Sequence, residues 1–499
     1  MPCKFPHPLI KNAASLIVLF LMFQLTLFTT MAFFTPLQLA STALDNNFTG
    51  ELSWRFYRGS LARTGIFPTH LPPAISSVTC FKLSPDQRFP ELSLYSNLRL
   101  QEPKYYDRRI YFIESSYLCV FDTVSHQLHI SPLFKYDTPI YALGRKLSDI
   151  VIESMLIKEA MIYNTTVVTV YIIHGCYKVA HQMLSRTDII GVSFHSLDGT
   201  LEDVILVSLD YIPGCYRISD CEYAIVNYTV VIYPVGRFWV SAYNYEVTYS
   251  LLLIKFNSFG QVTYVSTISF QHNVEKMSYD DILEIIPSWK AHISPKVPIL
   301  FKGKLISVIK EYVIELHITD RDIEYTSKEI FFEISSYHML AYDGFLYAIS
   351  GDYILRLDDK MNIVSRIKLK APIETNLCRF IINGSVIYIL AQDYLVKLSM
   401  EDGTLLWRVK LIPGKHLIQS ATLMLLEEII LYNDAILVSL FSLPFEGIIA
   451  VAPSDGTPKY YYSIDCLAGA IAVNGAIYAV ATPSIKQGVE FNILYVLKH

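Results

Sequence analysis

The sequence predicts an all-β fold, a β-propeller, and three observations lead to that prediction. One strand-turn-strand pattern recurs about every 40 residues, a period typical of propeller blades. Its turn is Asn-Gly or Asp-Gly, which favours a two-residue hairpin because a type I′ turn needs positive φ at both central residues. An apolar second strand follows the turn, and a tyrosine lies near the start of that strand. The clearest copies of the turn lie in residues 340–349, 380–389 and 470–479.

The second half of each repeat is equally regular. A second tyrosine comes six residues after the first, and apolar residues follow it, in residues 111–121, 347–357 and 388–398. Counting the repeats predicts eight four-stranded blades. Seven blades remain the alternative, because the units over residues 148–210 and 222–272 are longer and less regular than the others.

The two ends of the chain are predicted to share one blade. The last unit, residues 467–499, shows three strands, and residues 76–82 near the N-terminus are predicted to supply the fourth. Pairing the N- and C-terminal strands in one blade closes the ring and removes strand edges that would otherwise invite aggregation.

The composition is that of a strand-rich globular protein. Hydrophobic residues make up 52% of the chain, and 35 Tyr and 27 Phe bring the aromatic content to 13%. Charged residues are only 17%, below the typical quarter. The net charge is −5 and no basic run is present, so the sequence lacks the electrostatic footprint of a nucleic-acid-binding protein.

The N-terminal residues 1–44 are predicted to be a signal peptide or a membrane anchor. Two lysines precede an apolar stretch at residues 13–34 that is long enough to cross a bilayer as a helix. Positive charge before this stretch and Asp45 after it place the rest of the chain outside. Residues 41–43 form a small-x-small cleavage site, but the stretch is longer than a usual signal core. Cleaved and uncleaved leaders therefore both remain open, and either one exports the body.

The predicted domain organisation follows from these segments. A lead-in occupies residues 45–75, and the propeller occupies residues 76–499. An insertion near residues 273–296 interrupts the repeats, and Ser278 is placed to begin a short surface helix there, followed by a proline-rich loop.

Two further features suit an oxidising, exported environment. Cys215 and Cys221 lie six residues apart after a Pro-Gly turn and form a candidate disulfide. The remaining cysteines of the body fall in apolar strand patterns and are predicted to be buried. Four Asn-x-Ser/Thr sequons are candidate glycosylation sites, namely Asn47, Asn164, Asn227 and Asn383.

The hairpin between the third and fourth strands resembles the repeat of pyrroloquinoline-quinone-like (PQQ-like) β-propellers, in which a glycine is followed four residues later by tryptophan. One copy here keeps both positions, two have a tyrosine in place of the tryptophan, and one keeps only the glycine. The matching positions are Gly199, Gly260, Gly403, Trp407, Gly456 and Tyr460. Residues 54–65 also resemble the lead-in of such propellers. The resemblance covers about residues 51–499 and implies structural roles: glycine for a positive-φ turn position, the aromatic ring for packing between blades.

Enzymes of the family that this chain resembles bind PQQ and Ca²⁺ on the ring axis, with carboxylates and an amide on the metal and a tryptophan stacked on the quinone. Trp239 and Trp289 are the tryptophans available for stacking here. Asp280, Asp281 and Glu284 are candidate carboxylates, although acids in the first turn of a helix are also ordinary dipole partners. The sequence places none of them on the axis, so catalytic and cofactor-binding residues stay unassigned.

These observations predict an exported, non-catalytic binding or scaffold propeller of the cell envelope, with no cofactor and an envelope protein or a glycan as partner. The alternative is a divergent PQQ-dependent dehydrogenase that oxidises an alcohol or a sugar with quinone and calcium. A glycan-processing enzyme is a third reading. The chain contains no Gly-x-Ser-x-Gly elbow, Walker loop or His-Glu-x-x-His pair.

Overall fold

The computed structural model describes one predominantly β-stranded body. It covers residues 66–67, 69–83, 103–114, 116–178, 184–208, 211, 218–236, 246–273, 298–309, 312–319, 323–336, 338–373, 375, 378–391, 394–411, 428–442, 445–464, 467–481 and 491–499. These residues contain 34 strands in eight sheets, which confirms the all-β prediction.

The first strand, β1 (Ser77–Leu83), belongs to the last sheet of the chain. Sheet 1 contains β2 (Lys104–Tyr106), β3 (Arg109–Glu114), β4 (Tyr117–Asp122) and β5 (Leu128–Pro132). Sheet 2 contains β6 (Pro139–Tyr141), β7 (Arg145–Lys146), β8 (Val151–Tyr163), β9 (Thr166–Lys178), β10 (Leu184–Ser196) and β11 (Leu201–Ser208), with a short 3-10 helix at Leu147–Asp149. Sheet 3 contains β12 (Ile218–Val226), β13 (Thr229–Gly236), β14 (Glu246–Phe256) and β15 (Val262–Asn273).

The second half of the chain repeats the same pattern. Sheet 4 contains β16 (Ile299–Phe301), β17 (Lys304–Ile309), β18 (Tyr312–Ile318) and β19 (Ile323–Glu329). Sheet 5 contains β20 (Leu340–Tyr342), β21 (Phe345–Ser350), β22 (Tyr353–Leu357) and β23 (Ile363–Lys368). Sheet 6 contains β24 (Arg379–Asn383), β25 (Val386–Ala391), β26 (Tyr394–Ser399) and β27 (Leu405–Lys410). Sheet 7 contains β28 (Glu428–Leu431), β29 (Ile436–Ser442), β30 (Phe445–Val451) and β31 (Pro458–Ser463), and sheet 8 contains β32 (Leu467–Val473), β33 (Ala476–Ala481), β34 (Phe491–Lys498) and β1.

The four-stranded sheets are antiparallel, and strands that are consecutive in the chain lie side by side; the one strand of these sheets that is not a sequence neighbour is β1 of sheet 8, which pairs with β34. The turn between the first two strands carries the Asn-Gly or Asp-Gly signal, as at Asp343 and Gly344, where φ is 47° and 75°. Both residues therefore lie in the left-handed region that a type I′ turn demands, and the hairpin prediction is confirmed at this position.

Apolar side chains fill the spaces between neighbouring sheets. Seven buried clusters connect the sheets in the order 1-2, 2-3, 3-4, 4-5, 5-6, 6-7 and 7-8-1. The last cluster joins Phe121 of sheet 1, Leu437 of sheet 7 and Ile477 of sheet 8. Packing between sheets therefore returns to its starting point, which is the arrangement of a β-propeller.

The first strand of each sheet lies toward the inside of this arrangement. First strands of neighbouring sheets contact one another, as β24 contacts β28 and β16 contacts β20. Fourth strands show exposed residues instead; β23 alternates half-buried and exposed along its length. The side chains that face a neighbouring sheet are consequently buried, and the outer edges face solvent.

The predicted closure of the ring is present. β1 pairs antiparallel with β34, with Thr79 opposite Val496 and Cys80 opposite Tyr495. The lead-in adds a second attachment, because Ile66 forms a parallel bridge with Leu431 of β28. The N-terminal part of the described chain is thus bound to sheets 7 and 8, which are built from the C-terminal part.

The preference for eight four-stranded blades is not supported. Seven sheets have four strands each, the number of blades that the sequence left as the alternative. Sheet 2 departs from the pattern because two extra strands, β6 and β7, extend its outer side, where β6 pairs parallel with β11. Both strands precede residue 148, the predicted start of this unit. Among the described residues, no helix reaches the length and apolarity that crossing a membrane requires. The predicted leader (residues 1–44) lies outside those residues, and so does the predicted insertion (residues 273–296) except for its first residue, Asn273, which ends β15.

The pairing of β1 with β34 predicts a specific cross-link. Cys80 is exposed and lies directly opposite Tyr495, and opposite residues on antiparallel strands have Cβ atoms about 4.5–5.5 Å apart, close to the range that a disulfide needs. Tyr495→Cys should therefore form an intramolecular disulfide with Cys80 under mild oxidation, measured as a loss of two free thiols per chain by mass spectrometry. The Tyr495→Cys, Cys80→Ser double variant is the control. An unchanged thiol count in the folded single variant would contradict the register.

Candidate binding surface

The repeat glycines lie in turns that press against the preceding sheet. Gly199, Gly260, Gly403 and Gly456 all have positive φ, between 70° and 93°. A methyl group on Gly403 would overlap the carbonyl oxygen of Lys368 in sheet 5. The glycine of each turn is thus needed twice, for its backbone conformation and for the close approach of the neighbouring strand.

The other three glycines make the same kind of contact. A Cβ on Gly456 would come 2.8 Å from the ring of Trp407 in sheet 6, and one on Gly199 would come 2.7 Å from the ring of His129 in sheet 1. In sheets 1 and 5, His126 and Met361 occupy the corresponding positive-φ positions. The turn geometry is therefore kept where the glycine is lost.

Cations of one sheet also bind the turn of the next sheet. Lys370 pairs with Asp402 at 2.8 Å, Lys397 donates to the carbonyl of Pro453 at 2.8 Å, and Arg109 donates to the carbonyl of Leu197 at 3.1 Å. These bonds act at three different junctions and point in the same direction along the chain. They join each turn to the sheet before it.

An aspartate stabilises most of these turns from within. Asp198 accepts hydrogen bonds from the hydroxyl of Ser196 and from the backbone N–H of Thr200. These bonds lower the pKa of Asp198 to about 2. Asp402 and Asp455 occupy equivalent positions and accept the N–H of Thr404 and Thr457. The Asp-Gly-Thr triplets are therefore turn-forming units.

The aromatic residues of the repeat motif pack between sheets. The indole N–H of Trp407 donates to the carbonyl of Pro453 in the next sheet at 3.2 Å, and the ring lies 6.0 Å from that of Tyr388. Tyr460 packs against the cluster that joins sheets 7, 8 and 1, and burial raises the pKa of its hydroxyl. Trp407 and Tyr460 therefore both contribute to the packing between neighbouring sheets.

The predicted modification sites are dispersed. Asn164 and Asn227 occupy positive-φ positions of first hairpins, and their amide groups donate to Tyr228 and to the carbonyl of Ile318, respectively. Asn383 is exposed at the end of β24. Cys221 is buried in β12, but its proposed disulfide partner lies beyond the described residues. Also beyond them are Asn47, Trp54, Cys215, Trp239, Asp280, Asp281, Glu284 and Trp289.

The quinone and calcium site of the alternative reading has no counterpart in the described part of the chain. No group of three or more His, Cys, Asp or Glu side chains comes together there in a way that could hold a metal ion. The carboxylates and tryptophans named for that site are among the residues that the structure does not describe.

Sheet 2 is where the chain departs most from its repeat. Strands β8, β9 and β10 each have 13 residues, whereas the central strands of sheets 5 and 6 have five or six. Repeat proteins vary most where they bind, so the junction of sheets 2 and 3 is the candidate functional region. The irregular length of the unit at residues 148–210 was the signal for it in the sequence.

A buried ion pair crosses this junction. Lys158 of β8 and Glu222 of β12 lie 3.0 Å apart, with side chains only 9% and 12% exposed. Lys158 lies within a β-bulge between Ile157 and Ala160, and a bulge changes the direction of the side chains in it. The pair fixes the inner strands of sheets 2 and 3 relative to each other, because removing one partner of a buried pair leaves an uncompensated charge.

Three tyrosines meet on the outer side of the same junction, and we call them the tyrosine patch: Tyr141 of β6, Tyr211 and Tyr264 of β15. The rings of Tyr141 and Tyr211 lie 4.9 Å apart at 87°, an edge-to-face contact. The Tyr211 hydroxyl donates to the carbonyl of Val265 at 3.4 Å. Tyr141 and Tyr264 are 46% and 55% exposed. Burial, and then the charge of Tyr141, raise the pKa of Tyr211.

The tyrosine patch could not be found from the sequence. Successive members of the patch are separated by about 50 to 70 residues in the sequence. Packing between distant parts of a chain routinely brings such residues together. They lie outside the repeat motif, and with 35 tyrosines in the chain no local pattern distinguishes them. Strand β6, which carries Tyr141, was not predicted as part of the sheet.

The turn contacts predict unequal effects of two alanine substitutions. Gly403 and Gly475 have φ of 70° and 71°, but a Cβ on Gly475 would meet open space. Gly475→Ala should cost about 1 kcal/mol for the left-handed backbone, whereas Gly403→Ala should cost about 2–4 kcal/mol because the Lys368 backbone must also move. Urea unfolding of both variants measures the difference. Equal losses would show that the close approach is not a constraint.

The buried His195 predicts acid sensitivity. Its Nε2–H donates to the carbonyl of Pro132 at 3.1 Å, its Nδ1 has no hydrogen-bond partner, and burial lowers its pKa to about 4. Since the unfolded chain binds this proton near pH 6.5, stability should fall as the pH drops from about 6.5 through about 4, by about 3 kcal/mol in total.

His195→Gln keeps an N–H donor but does not titrate, so the slope of unfolding free energy against pH over this window should decrease. His317→Gln, at an exposed position on β18, is the matched control and should retain the wild-type slope. Identical slopes for His195→Gln and the wild-type protein would rule out this histidine as the source.

Comparisons with known proteins give structural likeness alone. No protein-family model matches the chain, and no curated protein matches it in sequence. Among solved structures, the Neurospora crassa Pan2 WD40 domain shares 7% identity at a TM-score of 0.33, with 62% of this chain and 85% of that chain covered. Apo AztD from Citrobacter koseri shares 10% identity at a TM-score of 0.24, with 60% and 94% covered. The chain is a β-propeller by its own strand topology, and a PQQ-like family is not shown.

Proposed function

We propose that this chain is a binding or scaffold propeller that holds a protein partner at the tyrosine patch. The observation that carries the proposal is the position of this patch: it lies at the junction of sheets 2 and 3, where the described sheet 2 departs from the four-stranded pattern, and Tyr141 and Tyr264 are 46% and 55% exposed. Elsewhere, the recurring motif residues are occupied in joining one sheet to the next.

The chemistry of the patch favours a protein partner. Tyrosine supplies a large apolar area together with a hydroxyl, at little cost in side-chain entropy, and is enriched where proteins bind each other. The edge-to-face contact of Tyr141 with Tyr211 and the bond from Tyr211 to β15 hold the rings in place. A partner therefore meets a surface that is already ordered, which reduces the entropy cost of binding.

The junction beneath the patch is rigid. The Lys158–Glu222 pair holds the inner strands, and on the outer side the backbone N–H of Val262 in β15 donates to Asp203 of β11 at 2.9 Å. Both bonds join sheet 2 to sheet 3. The patch thus spans two sheets that cannot shift independently without breaking these bonds.

We further propose that this protein works outside the cytoplasm, secreted or attached to the outer face of the membrane. The support is the charge and hydropathy pattern of residues 1–44. Protease treatment of intact cells that express the full chain with a C-terminal tag tests this location. A tag protected until the membrane is lysed would overturn the proposal.

No observation among the described residues favours the quinone-dependent alternative, and we propose no cofactor. Soaking the purified protein with PQQ and Ca²⁺, followed by native mass spectrometry, tests this separately. Stoichiometric retention of the quinone together with dye-linked oxidation of an alcohol or sugar would replace the binding proposal.

The tyrosine patch predicts loss of partner binding on substitution. Full-length Tyr141→Ser, Tyr264→Ser protein should recover at least about tenfold less of its partner than the wild type in a cross-linking capture, because central aromatic residues carry much of the binding energy of an interface. Tyr325→Ser, Tyr353→Ser is the matched control, since these tyrosines are 48% and 39% exposed but lie on other sheets. Melting temperatures verify that both variants fold.

Three outcomes would contradict the proposal. Equal recovery from both double variants would place the partner elsewhere. Equal loss in both would indicate a non-specific aromatic effect. Retention of a purified glycan, lost in the patch variant and kept in the control, would replace the protein partner by a carbohydrate.

A further inference from the structure

Sheet 2 aligns a serine, a histidine and an aspartate across three neighbouring strands. Ser154 of β8 lies opposite His174 of β9, and His174 lies opposite Asp188 of β10. Directly opposite residues of antiparallel strands share one side of the sheet. On this sheet the side is the one that faces sheet 3, because Leu156, Ile172 and Ile190, each two positions away, pack there. The three residues therefore form one row.

The histidine and aspartate of this row are already paired. His174 Nδ1 lies 2.8 Å from Asp188 Oδ1, with side chains 17% and 11% exposed. A carboxylate at this distance accepts the Nδ1–H and so fixes the tautomer in which Nε2 is unprotonated. Nε2 makes no hydrogen bond to the described residues. The imidazole is thus held in the form that can accept a proton.

The serine stands on the other side of the histidine, at a bulge. The register of β8 shifts between Ile152 and Ser154, and bulges are frequent beside active sites because they change the direction of a side chain. Ser154 is half-buried, so solvent reaches it. Strand β8 is also the last strand on the inner side of its sheet, so the main-chain N–H groups on its free edge have no strand partner within that sheet.

We propose that Ser154 is a nucleophile that accepts an acyl group from an ester, with His174 as the general base and Asp188 as its positioning residue. The Ser154 Oγ–carbon bond forms and the carbon–oxygen bond to the alcohol breaks. The hydroxyl proton passes to His174 Nε2 and then to the departing alkoxide, so an acyl-serine and a free alcohol result. This reactivity goes beyond the proposed binding function, and it uses none of the residues of the tyrosine patch.

The neighbouring row bears on the class of acyl group. Val151 lies opposite Cys176, and Cys176 lies opposite Arg186 of β10, so all three share the side of the sheet that carries His174. Val151 is 59% exposed, and Arg186 is exposed as well. Acyl groups that are uncharged or anionic therefore suit this row better than cationic ones, because Arg186 repels a positive charge.

A fluorophosphonate probe tests the proposal directly on the folded full-length chain. The probe forms an Oγ–phosphorus bond with an activated serine and releases fluoride, and peptide mass spectrometry locates the adduct. We expect labelling at Ser154, its loss in Ser154→Ala, and a reduction of about 100-fold or more in His174→Ala, because a positioned base contributes about 10²–10⁴-fold. Ser185→Ala is the matched control, since Ser185 is also half-buried on the same sheet.

The role of Asp188 has its own readout. Asp188→Asn removes the charge and accommodates the other tautomer, so labelling should slow at least about tenfold, whereas Asp188→Glu, which keeps a carboxylate, should restore part of the rate. Melting temperatures of all variants exclude unfolding as the cause. Three outcomes would each overturn the proposal: no label on the folded wild-type chain, label on a different serine, or an unchanged labelling rate in folded His174→Ala. The probe does not report on partner binding, so the two proposals are decided by separate experiments.

Discussion

The structure depends on one contact that recurs along the chain. The turn between the third and fourth strands of a sheet packs against the sheet that precedes it in the sequence. Gly403 shows the constraint most clearly, because the Lys368 carbonyl occupies the space where any side chain would begin. The same turn presents Asp402 to Lys370. Backbone shape, close packing and charge thus act at one point, and the same arrangement recurs from junction to junction. A sheet must bury its apolar face against another element, and this docking buries the apolar side chains between neighbouring sheets.

This constraint explains why the repeat motif tolerates so much variation. The turn needs a positive-φ residue and a surface that fits its neighbour, and Met361 satisfies both in sheet 5, where it is buried against sheet 4. The tryptophan of the motif is one of several ways to fill the gap between sheets. The repeats can therefore differ at the motif positions and still form a regular structure, and the motif carries little information about activity.

The repeats could be predicted from the sequence because their signals are local. The Asp343–Gly344 turn and the tyrosines that follow it specify hairpins within a few residues, and the pairing of the chain ends follows from a missing strand. Strand β6 could not be predicted, because it is three residues long and is held by parallel pairing to β11, more than 60 residues later in the chain, a contact that local propensity does not encode. The tyrosine patch depends on that strand. The Ser154–His174–Asp188 row was missed for a related reason: it appears only when the register of three strands is known.

The pairing of β1 with β34 has a consequence for how the protein is made. Ser77 and its partner, Lys498, are separated by more than 400 residues of the chain. The edge of β1 must therefore wait, without its neighbour, until those residues have been synthesised, and such distant pairing is intrinsically slow to form. A chaperone that shields this edge in the meantime would protect the nascent protein from premature association.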